Sequence, residues 1–444
     1  MNSEVLDTYP KYDNYKDSGV DWLGKIPEEW DLVPAFKFIS ENKIKNTGLV
    51  EDIVLSLSFG QIVIKPKEKL TGLVPESFEG YQIVKPNNII IRCTDLQNDK
   101  NSLRIGLVKN DGIITSAYLG LKVSDEYSPK YLFYYLYSLD TSKAIYKMGT
   151  GLRQNLSFND FKRFSLPNIS LEYQITVAKF LDQKTLQIDE AIELKKKQIE
   201  KLNEYKQITI QNAVTKGLDA NAKMKDSGIA WMGDIPEHWN IKKSKFLFEF
   251  SKGLTITKDN LQDSGVLCVN YGEIHSKYGF ELRPNEHELK YVDTSYIDSN
   301  PRALLNNGDF VFADTSEDIE GSGNFTYING TASIFAGYHT VIAKPTIEFN
   351  SRFVAYIFDS ISYRSQIRHR VKGVKVYSIT QSMLKNTFIW LPPKQEQENI
   401  VNYLDKILFK VTQANDAYKT EIERLKEYKT ILINQAVTGK IKVS

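Results

Sequence analysis

Residues 16–30 read KDSGVDWLGKIPEEW and residues 225–239 read KDSGIAWMGDIPEHW, with 10 of 15 positions identical at an offset of 209. A second pair follows. Residues 174–215 contain FLDQ and IEKLNEYKQITIQNAVT; residues 397–438 contain YLDK and IERLKEYKTILINQAVT, at an offset of 223. Two long matches in the same order make chance negligible and fix the chain as one unit written twice: globular block, helix, globular block, helix. The second copy carries 14 more residues between its matches.

The repeated tails are helical. Apolar residues fall at Ile188, Ile192, Ile199, Leu202, Tyr205 and Ile208, and again at Val411, Tyr418, Ile422, Leu425, Tyr428 and Leu432. That three-and-four spacing is the seam of a coiled coil, with no Pro or Gly inside it. Pro167, Pro392 and Pro393 precede the segments, and Gly217 and Gly439 follow as stop signals. Such helices are marginal alone, so each needs a partner, and the economical one is the other copy, packed antiparallel about a pseudo-twofold axis. The run Lys195–Lys197 offers a phosphate patch, but a solvated helix face is the better reading.

The blocks between are mixed. β-branched runs occur at 53–57, 61–64, 89–92 and 113–115, then at 266–269, 310–313, 333–335 and 340–343, bracketed by Asn/Gly turns. Each block holds one aromatic helix behind an N-cap, Ser128 before PKYLFYYLYSL and Asn350 before SRFVAYIFDSI. Each helix runs toward a basic, Gly-containing loop, KMGTGLRQN or RHRVKGVKVY. The expected fold is two α/β (α+β) domains separated by two long α-helices packed as an antiparallel coiled coil, with an internal pseudo-twofold repeat. The expected boundaries are 1–170, 171–218, 219–393 and 394–444.

Composition excludes several classes. Lys plus Arg is 57 against 55 Asp plus Glu, so the chain is neither a basic nucleic-acid coat nor an acidic solvating tail. Cys93 and Cys268 stand alone, which excludes a disulfide framework and a thiolate zinc site. No apolar run approaches the ~18–20 residues of a membrane helix, and the N-terminus lacks a signal pattern, so a cytoplasmic setting is expected.

Catalytic constellations are missing as well. His287-Glu288 is not followed by His at 291, so there is no zincin. There is no P-loop, no G-x-S-x-G elbow, no amino-methylation tetrapeptide and no Gly-rich S-adenosylmethionine loop. Gly321-Ser322-Gly323-Asn324 reads as a mobile loop, and Asp314, Glu317, Asp318 and Glu320 read as a surface cluster without a counterpart in the first block. No metal site is expected, and no catalytic residue.

The doubled KDSGxxWxGxIPExW opening, VKPNNIIIRCTD, the loop GLRQNLSFNDFKRFSLP and the helix end EYKQITIQNAVTKG resemble the specificity (S) subunits of type I restriction–modification systems, over about residues 15–442. The resemblance implies two target recognition domains, 1–170 and 219–393, each reading one half of a bipartite site on double-stranded DNA. It implies a central conserved helical region, 171–218, and a C-terminal one, 394–444. These set the spacer and dock two methyltransferase (M) subunits, with restriction (R) subunits completing the complex. It implies no catalysis and no cofactor on this chain; S-adenosylmethionine belongs to the M subunits, and ATP with Mg to the R subunits. The competing readings are a structural coiled-coil adaptor, or a methyltransferase or restriction enzyme in its own right.

Because the blocks are not basic in bulk, with 41 bases and 41 acids outside the helical segments, DNA affinity has to come from local patches and from the partners' charge. The candidate DNA contacts are Arg92, Arg104, Arg153, Gln154, Asn155, Lys162 and Arg163 in the first block. In the second they are Arg302, Arg368, Arg370, Lys372, Lys375 and Tyr377. Arg, Gln and Asn read base edges; Lys mostly holds phosphate. Each is equally consistent with an ordinary exposed surface group. Arg153, Gln154 and Asn155 stand out because they follow a flexible Gly-Thr-Gly. The second-block loop reads KGVKVYSITQSMLKNTFIWLP, so Arg153 and Gln154 have no clean equivalents there. Trp22, Trp30, Trp231 and Trp239 are expected as packing anchors. Leu181, Ile199, Leu202 and Tyr205, with Leu404, Ile422, Leu425 and Tyr428, are expected at the helix seam or the subunit interface.

Overall fold

A computed structural model describes residues 9–443 except 67, 69–76, 95, 97, 98, 100, 101, 148–154, 230, 372, 374 and 375. The chain forms two compact units, residues 1–196 with 419–444, and residues 197–418. Both long helices run from one unit into the other. The central helix, Leu171–Lys216, has 46 residues and the C-terminal helix, Lys394–Val437, has 44. At ~1.5 Å per residue each is ~65–70 Å long.

Within each unit the two helices run antiparallel. In the first unit Asp189 pairs with Lys429 (2.7 Å) and Lys195 with Glu421 (2.7 Å), so numbering rises along one helix as it falls along the other. In the second, Asn415 donates to Asn203 (3.0 Å). The central helix begins 17 residues before the seam expected at Ile188, because Val177 and Leu181 bury a face against the first block. The expected seam is followed in part. Ile188, Ile192, Val411, Ile422 and Leu432 are buried, while Tyr205 and Ile208 are each 49% exposed. Ile210 and Val214 are buried instead. Leu181 and Leu404 are fully buried, whereas Ile199, Leu202, Leu425 and Tyr428 are half-buried.

Each block has its own sheet, and the strand order repeats from one to the other. In the first unit the order is Ile39–Glu41, Leu119–Val123, Ile89–Ile91, Ile105–Leu107, all antiparallel. In the second it is Phe248–Lys252, Thr340–Pro345, Phe310–Ala313, Phe325–Ile328, with Phe280–Leu282 added in parallel at the edge. The central strands Ile89–Ile91 and Phe310–Ala313 are buried at every residue, as unbroken apolar runs demand. A second four-stranded sheet, ordered Lys290–Val292, Val266–Val269, Ile334–Ala336, Leu304–Leu305, backs the larger one.

Each aromatic helix is bolted to a long helix by the same polar groups. Gln174 accepts from Ser128 N (2.8 Å) and donates to Ile169 O (2.9 Å); Gln397 accepts from Asn350 N (2.9 Å) and donates to Pro392 O (2.8 Å). Asp182 accepts from Lys130 (2.5 Å) and Tyr134 (2.8 Å); Asp405 accepts from Arg352 (2.8 Å) and from the Tyr356 hydroxyl. Asn434 donates to Ser138 Oγ and Gln211 to Ser362 Oγ, both at 2.6 Å. These positions repeat along the long helices at the same offset of 223 that the sequence shows.

The helix ends meet the Trp/Pro motifs. Gly217 (φ 71°) abuts Trp239 and Pro236, and Gly439 (φ 72°) abuts Pro27 and Trp30. Trp30 and Trp239 are buried anchors as expected, and Trp239 Nε1 donates to Glu396 (3.1 Å). Their partners eight residues earlier depart from that expectation. Trp22 is half-buried and stacked on Phe164 (5.9 Å), and Trp231 is 40% exposed, stacked on His369 (5.2 Å). Both outer rings are therefore less buried than the inner pair.

Candidate nucleic-acid interface

In both units the segment after the basic loop is pinned across the connection between two sheet strands. In the first, Ile89–Ile91 leads into residues 92–104 and returns along Ile105–Leu107; Leu156 N donates to Cys93 O (3.0 Å). A capping box, Ser157 with Asp160, then starts the short helix Phe158–Phe161, whose Phe161 is buried. In the second, Phe310–Ala313 leads into residues 314–324 and returns along Phe325–Ile328; Ile379 N donates to Asp314 O (2.7 Å). There Thr315–Ser316 also pairs as a strand with Tyr377–Ser378, and Thr380 caps the helix Gln381–Lys385.

This arrangement sorts the expected contacts. Asn155 and Arg163 are exposed beside the first pinned segment and Lys162 is half-buried. Arg153, Gln154, Lys372 and Lys375 lie outside the described residues. Arg92 is half-buried and ion-paired with Asp99. Arg104, expected in a DNA-facing loop, is instead fully buried. Its guanidinium donates to the carbonyls of Arg92 (3.1 Å), Thr94 (2.8 Å) and Asp99, and its amide donates to Asp140 (2.7 Å). It organises the loop from inside, because those carbonyls would otherwise be buried without donors.

In the second unit, Arg368 donates to Glu320 O (2.5 Å) while its Nε is buried without a partner among the described residues. Burial and the neighbouring Arg364 charge lower the Arg368 pKa. Tyr377 lies in the strand pair with Ser316, so Arg368 and Tyr377 both tie the basic loop to residues 314–324. Arg370 is half-buried near Met383 O (3.5 Å), and Arg302 is exposed on the separate turn Pro301–Ala303.

Sequence reading took residues 314–324 for a plain surface loop. They form one wall of a cleft of ≈ 860 Å³ lined by Tyr271, His275, Thr315, Asn324, His339 and Val376 among others. His275 Nε2 donates to Thr315 O (2.7 Å), and its Nδ1 accepts from the Asn324 amide (2.8 Å). Asn324 Oδ1 in turn accepts from Arg364 (2.8 Å). The chain of bonds holds the loop to the helix Ile361–Arg368. Its only sequence signal was the polar stretch that follows a buried strand.

Cys93 and Cys268 are buried, which pushes each thiol up to about 12, away from reactive thiolate. Among the described residues no group of three or more His, Cys, Asp or Glu is placed to hold a metal ion, and no helix is long and apolar enough to cross a membrane.

Residues 236–424 match the Methylase_S family, the type I restriction modification DNA specificity domain. The chain is 26% identical over 431 residues, 94% of each sequence, to the type I restriction enzyme MjaVIII specificity subunit of Methanocaldococcus jannaschii. It is 24% identical, over 99% of each, to the putative MjaX specificity subunit of the same organism. Along nearly its whole length, then, the chain is similar to type I specificity subunits. Its fold agrees with solved structures of the type I system. One chain from a type I R-M complex gives a TM-score of 0.67 at 15% identity, covering 93% of this chain and 98% of that one. The HsdS subunit of Thermoanaerobacter tengcongensis gives 0.52 at 16% identity, covering 94% and 98%. The specificity-domain match opens at Pro236, beside the buried Trp239, and closes within the C-terminal helix.

Proposed function

We propose that this chain is a type I specificity subunit that reads a bipartite site on double-stranded DNA, one half per recognition block, and itself performs no catalysis. The observation that carries the reading is the construction found in both units. The segment after a Gly-containing basic loop is pinned across the same strand connection, by Leu156 N to Cys93 O and by Ile379 N to Asp314 O. The loop sequences differ, KMGTGLRQN against RHRVKGVKVY, while the scaffold beneath is kept. One scaffold carrying two different loops suits an asymmetric target. Asn155, Lys162, Arg163, Arg368, Arg370 and Tyr377 sit on or beside these segments. Arg153, Gln154, Lys372 and Lys375 belong to the loops by sequence.

Two equivalent grooves support docking of two copies of one partner, the M subunits. The first, ≈ 470 Å³, is lined by Lys130, Tyr134, Asp182 and the 59% exposed Leu186. The second, ≈ 550 Å³, is lined by Arg352, Tyr356, Asp405 and the 63% exposed Phe409. The half-buried Ile199, Leu202, Leu425 and Tyr428 and the exposed Tyr205 belong to the same helices. Those helices set the unspecified spacer, and R subunits complete the nuclease. Mapping methylated adenines in DNA treated with the chain plus M subunits and S-adenosylmethionine tests the reading. The expected result is a two-part motif with a fixed gap, and methylation without sequence preference would overturn it.

A further inference from the structure

At the entry to the strand Thr340–Pro345, His339 adopts φ 55°, a conformation L side chains take only where the surroundings hold it. Asp314 holds it twice. The Asp314 amide donates to His339 O (3.0 Å), and Asp314 Oδ1 lies 3.2 Å from His339 Nδ1. A carboxylate at Nδ1 fixes the proton there, which leaves Nε2 as an acceptor. Nε2 has no partner among the described residues, and the side chain is 57% exposed. Tyr271 packs edge-on against the ring at 5.3 Å, and Tyr338 closes the trio.

This imidazole lines the same cleft as Thr315, Ser316 and Gly321 and as Val376 of the basic loop. Glu317, Asp318 and Glu320 add carboxylate acceptors to the lining. A phosphate is repelled by such a surface. The major groove, however, presents amino donors of two kinds, adenine N6 and cytosine N4, against the acceptors of guanine and thymine. An acceptor-rich cleft beside a basic loop suits a base edge delivered by a duplex that the loop grips.

We propose that His339, oriented by Asp314 and Tyr271, is a specificity-determining residue that accepts a hydrogen bond from an exocyclic amino group of adenine or cytosine in the half-site read by the second unit. The proposal rests on the DNA-recognition reading above. It locates discrimination in a lining that holds no lysine or arginine among the described residues, while the arginines and lysines of the neighbouring loop anchor the backbone.

The test uses the complex assembled with M subunits, with wild-type, His339→Gly and Tyr271→Phe chains. Glycine keeps the left-handed backbone without strain and removes the ring. Each base pair of the mapped site is replaced in turn, and methylation rates are compared. At one position of one half-site, His339→Gly is expected to lose roughly 10- to 100-fold of the discrimination against guanine and thymine. The other half-site stays as it was. Tyr271→Phe, which keeps the packed ring, is expected to retain the wild-type motif. Wild-type discrimination at every position in His339→Gly would overturn the proposal. So would an equal loss over all sequences, which marks a residue that only supports the fold. A wild-type complex with no sequence preference would overturn the recognition reading itself, which separates the two failures.

Discussion

Asp405 joins two elements through three hydrogen bonds, two from Arg352 Nε (2.8 and 2.9 Å) and one from the Tyr356 hydroxyl. Truncation to Ala takes one of two carboxylates from the guanidinium, which keeps Glu281, and leaves the Tyr356 phenol without its acceptor. Because the carboxylate is 38% exposed, water repairs part of the loss, and the cost is roughly 1–2 kcal/mol. Thermal unfolding of Asp405→Ala is expected to fall by roughly 3–6 °C, and Tyr356→Phe by less. Glu281, which also pairs with Arg352 (2.9 Å), gives a pH signature. Burial pushes its pKa up, but hydrogen bonds from Asn329 and Arg352, with the Arg352 charge, outweigh that and hold it at about 2 against the ordinary 4.5. A depressed carboxylate stabilises the fold above pH ~4.5 and loses that contribution as pH falls toward 2. The contribution is on the order of 2 kcal/mol. Denaturant titrations between pH 5 and 2.5 are expected to show a shallower decline for Glu281→Gln than for wild type. Neither network was legible in the sequence, because FLDQ and YLDK show a repeated Asp without showing what it faces. Arg104 was misplaced for the same reason. Ser102-Leu103-Arg104 looks like loop, and the carbonyls and the Asp140 carboxylate that bury it are brought by folding.

Among elements, the long helices were the most legible, since their apolar spacing and terminal glycines are local signals. The seam register was legible only in part: Tyr205 and Ile208 fit the spacing yet stay 49% exposed, because Ile210 and Val214 turn inward against the second block. The terminal glycines make a differential prediction. A Cβ on Gly439 meets Pro27 Cδ at 2.5 Å and Trp30 at 3.0 Å, whereas on Gly217 the nearest atom is a Glu396 oxygen at 3.1 Å. Both have positive φ, so alanine at either costs ~1 kcal/mol of backbone strain. Only Gly439→Ala also clashes with rigid rings. It is expected to cost roughly 2–3 kcal/mol and Gly217→Ala about 1, read by chemical denaturation. Hydrogen exchange should show the end of the C-terminal helix loosening in Gly439→Ala alone.

At the scale of the whole molecule the repeat was plain in two motifs, but its extent was not. The shared sheet order, the matching bolts at Gln174, Asp182 and Asn434 against Gln397, Asp405 and Gln211, and the pinned loops are visible only in three dimensions. Strand sequences diverge freely once they keep an apolar face, so the kinship of the blocks had faded where the helices kept theirs. That divergence over a constant scaffold is the central claim: each block reads its own half-site. The direct test exchanges residues 31–165 for the corresponding block of a relative with a different target, assembles the chimera with M subunits and maps the methylated bases. The account predicts that one half-site changes to that of the donor while the other half-site and the spacer persist. A motif unchanged in both halves, or altered in both, would contradict it.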